Sequence, residues 1–100
     1  MNTAPSPNLF DQLFNLELEL ELMLVTHGGS TEVRNDLSIA RGQLELQRDH
    51  DQPADISDVE RRLANVAVRI GMAKDRRSFL IRLRRVAGWI RMQTIEPVAA

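Results

Sequence analysis

The sequence predicts an all-α fold, a small bundle of three to four helices that pairs as a dimer. Three observations carry this expectation. Apolar residues recur in steps of three and four through most of the chain, and glycine, proline and serine punctuation falls between those runs. The densest apolar run, Leu9 to Val25, is also interleaved with Glu and rich in Leu and Met, which favour helix over strand. One hundred residues without an internal repeat make one domain. A chain of this size buries only about two-thirds of its unfolded surface, and a second copy would supply further cover.

Residues 1–7, Met-Asn-Thr-Ala-Pro-Ser-Pro, read as a disordered lead. A single helical domain is expected over residues 8–95, with helices at about 8–27, 31–48, 57–74 and 77–95 and a tail at 96–100. Asn8 is the expected N-cap of the first helix. Within that helix Leu9, Leu13, Leu16, Leu20 and Met23 form one stripe, with Leu24 beside it. Leu18, Leu22 and Val25 lie roughly opposite, with Phe14 at their margin, so both sides need cover. The expectation is a sandwiched helix, central in its own bundle or lying across a dimer seam; Leu9, Leu13, Leu16, Leu18, Leu20 and Leu22 are the candidate seam. The alternation from Leu16 to Leu24 also fits a half-buried strand. Helix prevails because the Leu9, Phe10, Leu13, Phe14 opening has only the helical period.

Gly28-Gly29 should end the first helix with a left-handed cap. Ser30 or Thr31 opens the second, whose main stripe is Val33, Leu37, Ala40 and Leu44; Ile39 and Leu46 fall on another face. Gly42 inside it costs about 1 kcal/mol relative to Ala and suggests a close crossing. The polar segment 49–55, with Pro53, is a break. Ser57-Asp58-Val59-Glu60 reads as a capping box opening the third helix, with Val59, Leu63, Val66 and Ile70 on its stripe. The phase slips near Lys74 to Ser78. Phe79, Leu83, Val86 and Ile90 then start a new stripe, which favours a break over one continuous helix.

Charge is divided along the chain although the net formal charge is only −1. Residues 1–56 hold ten acids against three arginines, and residues 57–100 hold ten bases against four acids. The simplest reading is that the halves pack together with their charges complementing across the seam. The sharper reading is that some arginines face an anionic partner. Arg76, Arg77, Arg82, Arg84, Arg85 and Arg91, with Trp89, are the candidate partner-binding or nucleic-acid-binding residues. Guanidinium groups bind carboxylate or phosphate bidentately, and Trp with Arg is the composition of an interface hot spot.

Residues 66–83 resemble a helix-turn-helix DNA-binding motif. Ala67 matches the small crossing residue, Gly71 the turn glycine, Met72 the buried turn residue and Leu80 a recognition-helix core position. The resemblance implies DNA binding through the segment that follows the turn. Arg77 departs from the pattern, standing where the motif has an apolar residue.

Chemistry of other kinds finds little support in the residues. There is no Cys, hence no disulfide framework, thiolate metal site or cysteine nucleophile. No nucleophile, base and orienting acid stand at recognisable spacing. Glu17 and Glu21 sit one turn apart but lack the Glu-x-x-His partner of a di-metal bundle, and a solvated or arginine-paired face is expected there. His27, and His50 between Asp49 and Asp51, read as ordinary surface residues. No run approaches the about 18 apolar residues of a membrane span, and no basic region precedes an apolar leader. The expectation is therefore a cytoplasmic, non-catalytic binding module without cofactor, metal, membrane or small-molecule substrate. As an adaptor, small assembly subunit or regulator it docks a macromolecular partner through the arginine and Trp89 face, or, as the alternative, binds nucleic acid through the same basic half.

Overall fold

In the computed structural model, which describes residues 7–70 and 75–94, four helices follow in order. They are α1 (Pro7–His27), α2 (Thr31–His50), α3 (Ile56–Ile70) and α4 (Arg76–Thr94). Among the described residues there is no strand, so the Leu16 to Leu24 alternation belongs to a helix. The helices form a ring in which each touches the next and α4 returns to α1. Contacts between α1 and α3 cross the diagonal, whereas α2 and α4 do not meet.

The core comes from the expected stripes. Leu9, Leu13, Leu16 and Leu20 are buried, facing Val33, Leu37, Ala40 and Leu44 of α2. Val59, Leu63 and Val66 of α3 and Phe79, Leu83, Val86 and Ile90 of α4 complete it. Fully burying each large aliphatic or aromatic side chain contributes roughly 1.5–3 kcal/mol, so the stripes, more than helix propensity, hold the bundle.

The other side of α1 is not covered by the described residues. Leu18 is 47%, Leu22 62% and Val25 85% exposed. The expectation of a helix sandwiched at the centre of its own bundle is therefore corrected. Four helices in a ring give each a single inward stripe, and α1 already fills its own with Leu9, Leu13, Leu16 and Leu20. Gly42 is corrected too, since a Cβ built there meets nothing within 4 Å and no crossing inside the chain uses its smallness.

Local chemistry explains the helix ends. The first helix begins at Pro7, so Asn8 stands within its first turn and is not the residue preceding the helix; proline suits such a start because its missing N–H has no intrahelical acceptor there. At the other end Gly28 takes φ +72 and its N–H bonds to Leu24 O at 2.8 Å. At Gly29 an added Cβ would come within 2.2 Å of Leu24 Cδ1, the far end of a half-buried side chain that can turn aside. Ser30 caps α2, its side chain accepting from the Val33 N–H at 3.3 Å.

The start of α3 departs from the expected Ser57 box. Asp55 is the capping residue: its Oδ1 accepts from the Asp58 N–H at 3.1 Å, and its carbonyl accepts from the Val59 N–H at 2.9 Å. Starting earlier lets Ile56 join the core, and Glu60 turns to another partner. The third helix is described to Ile70 and the fourth from Arg76, where the expected bounds were about 74 and 77. Gly71, Met72 and Lys74 lie outside the described residues, as do the expected lead up to residue 6 and the tail after residue 94.

Ion pairs line the seams, and several join the acidic half to the basic half. Arg62 of α3 reaches Asp36 of α2 at 2.7 Å, and Arg69 reaches Glu32 at 2.5 Å. Arg82 of α4 grips Glu19 of α1 through two parallel bonds at 2.8 and 2.9 Å. Within the basic half, Arg91 reaches Glu60 of α3 at 2.5 Å. Such exposed or half-exposed pairs are each worth about 0–1 kcal/mol, so they set register more than stability.

Candidate docking face on the last helix

The expected site residues separate into two groups on α4. Phe79, Leu83, Val86 and Ile90 turn inward, which forces residues about half a turn away to the outside. Arg82 and Arg91 lie at the two edges and are engaged by Glu19 and Glu60. The Glu19 carboxylate also raises the Arg82 guanidinium above its ordinary value. These two are fasteners of the bundle.

Arg77, Arg84 and Arg85 are exposed and form no ion pair among the described residues; Arg76, half-buried, forms none either. The Nε of Arg76 is buried without a hydrogen-bond partner among them. With Leu80 and Ile81 these four arginines line an open groove of about 660 Å³. Arg77 and Arg84 are two turns apart, about 10 Å along the axis. Among the described residues no carboxylate lines this groove.

Trp89 stands at the margin of that face, 45% exposed. It lines a second groove of about 430 Å³ between α4 and α1, with Gln12, Asn15 and Arg85 among its neighbours. The sequence reading did not single out Ile81, Gly88 and Met92. Ile81 is 49% and Met92 75% exposed, and a Cβ at Gly88 would meet nothing within 4 Å. At about 100° per residue these three fall nearly opposite Phe79. Reading the back of the helix, as well as its core stripe, would have found them.

The positions that resemble a helix-turn-helix are dispersed in character. Ala67 is buried, Leu80 half-buried and Arg77 exposed, while Gly71 and Met72 lie outside the described residues. Of the solvated or arginine-paired face expected for Glu17 and Glu21, α1 takes the arginine-paired form. Glu17 is only 1% exposed, and the cation beside Glu17, Glu21 and Glu45 is Arg41. Burial pushes the Glu17 carboxyl up to about 8, helped by its hydrogen bond to Glu21 and the charge there. The same hydrogen bond holds Glu21 below its ordinary value. Among the described residues no group of three or more His, Asp or Glu side chains is arranged to hold a metal. None of the described helices is long and apolar enough to cross a membrane.

No protein-family model matches the chain, and comparison with curated proteins and with solved structures returns no match.

Proposed function

We propose that this chain is a non-catalytic binding module that docks a macromolecular partner through the outward face of α4. One observation carries the reading. The arginines of α2 and α3 contact a carboxylate or, for Arg34, the Gly29 carbonyl, whereas Arg76, Arg77, Arg84 and Arg85 share one groove that holds none among the described residues. Concentrating four like charges is unfavourable in the free protein and becomes favourable when an anionic surface meets them.

A capture experiment tests the proposal. Immobilised protein should retain one defined species from its source cells, and a folded Arg84→Glu/Arg85→Glu variant should lose it. Equal retention by both would overturn the reading.

Nucleic acid is the second reading, favoured by the paired arginines two turns apart. It requires affinity that falls steeply with salt, with a shallower slope after Arg84→Gln.

A second proposed contact is with another copy of the chain through the outer side of α1. Leu18, Leu22 and Val25 carry no charge, so two such stripes can meet without the repulsion that would separate two α4 faces.

A further inference from the structure

We infer that the occupant of the α4 face is an acidic amphipathic helix of a partner protein, lying along Ile81, Gly88 and Met92 with carboxylates on Arg77, Arg84 and Arg85. This rests on the docking reading above and names its occupant.

The face has the layout that a helix-binding groove needs. Placed at about 100° per residue, Ile81, Gly88 and Met92 make a central strip, with Arg77 and Arg84 along one side and Arg85 along the other. Ile81 and Met92 are among the exposed large apolar side chains of the chain. An occupant must therefore bring apolar side chains for the strip and negative charge for both margins. An amphipathic helix with flanking Glu or Asp does both, and arginine meets such carboxylates in bidentate geometry.

Gly88 supplies an independent indication. Glycine within a helix costs about 1 kcal/mol relative to alanine. Nothing among the described residues exploits the missing side chain, because a Cβ there would meet none of their atoms within 4 Å. A flat point in the middle of an exposed strip lets another helix bring its backbone close, which strengthens packing over the neighbouring Ile81 and Met92.

Other occupants fit less well. A phosphate backbone would satisfy the arginines but leave Ile81 and Met92 against a charged, hydrated chain. A second copy is a poor complement, because its acidic helix is already engaged: Glu17 and Glu21 pair with Arg41, and Glu19 with Arg82.

Trp89, the sole tryptophan, borders the face and reports on it. The test titrates the full chain with a synthetic Leu/Glu peptide of about five helical turns, designed as an amphipathic helix, and follows Trp89 emission. A scrambled peptide of the same composition, duplex DNA, single-stranded RNA and phosphatidylserine vesicles are titrated in parallel. The amphipathic peptide should saturate at one per chain and bind at least about tenfold more tightly than the scramble. Arg84→Gln/Arg85→Gln should weaken it by about tenfold or more. Gly88→Gln should raise thermal stability while lowering peptide affinity, a combination that a purely structural glycine would not give. Equal affinity for the two peptides, or no binding of either, overturns the inference. Tighter binding of an oligonucleotide or of vesicles through the same arginines removes the helical occupant but leaves the docking reading standing. If no probe binds and the charge-reversed variant also captures what the wild type captures, both fall.

Discussion

Glu17 and Arg41 meet across the α1–α2 seam with Oε1 3.4 Å from Nη1, while the second Glu17 oxygen, Oε2, is buried without a hydrogen-bond partner among the described residues. One guanidinium thus serves three carboxylates, Glu17, Glu21 and Glu45. Glu17 resolves the excess charge by holding its proton, while the Glu21 carboxyl is held below its ordinary value.

That arrangement has a defined pH signature. The Glu17 carboxyl titrates at about 8 in the fold against an ordinary 4.5, so the folded state binds more protons between those values. Stability therefore falls as pH rises through this window, and the full penalty is present above about 8. Glu17→Gln should remove this contribution to the slope and raise stability in alkaline solution by about 1–3 kcal/mol. Urea denaturation on either side of the window measures it; a wild-type slope unchanged by the substitution would refute the assignment.

Asp58 gives the opposite dependence in acid. Arg62 first, then Gln43 and Arg61, hold its carboxyl down to about 2. Its contribution is complete above the ordinary 3.8 and is lost as pH falls through about 2. Asp58→Asn should make the acid-unfolding curve shallower, read by circular dichroism.

The capping residue of α3 is open to a paired comparison. Asp55→Ala should cost about 0.5–2 kcal/mol, because the Asp58 N–H loses its acceptor. Ser57→Ala, at an exposed helical position, should stay within about 0.5 kcal/mol. Reversed magnitudes in thermal unfolding would restore the Ser57 box.

Two leucines of α1 separate folding from association. Leu20 is fully buried, and Leu20→Ala should cost about 2–5 kcal/mol. Leu22→Glu should leave stability of the isolated chain within about 0.5 kcal/mol yet convert a sedimenting dimer to monomer. A wild type that sediments as a monomer at high concentration would dispose of the α1 pairing.

Much of the fold was legible because burial imposes a period. The stripes through Leu13, Leu37, Leu63 and Leu83 can be read by counting steps of three and four, and each is in the core. What periodicity does not decide is whether a second apolar face is covered, and so Leu18 and Leu22 were placed correctly on their side of the helix but not in this chain's interior. Pairing was less legible than facing. Arg82 and Arg84 are two residues apart and identical in type, yet only Arg82 lies within reach of Glu19, a relation set by how α1 and α4 are laid together. The Asp55 cap was missed because Ser57 and Glu60 form a valid local signal, and tertiary demand for Ile56 in the core outweighed it.

The clasp between Glu19 and Arg82 joins positions 63 residues apart, farther along the chain than the Arg69–Glu32 pair, which spans 37. Drawing such distant segments together carries the largest loop-closure entropy, while α2 and α3 are neighbours through a short connection. The bundle should accordingly have a preferred order of assembly, with the α2–α3 hairpin early and the α1–α4 junction last. Native-state amide exchange should find α1 opening at lower free energy than α3, so that the helix carrying the acidic leucine run is the door of this domain and not its foundation.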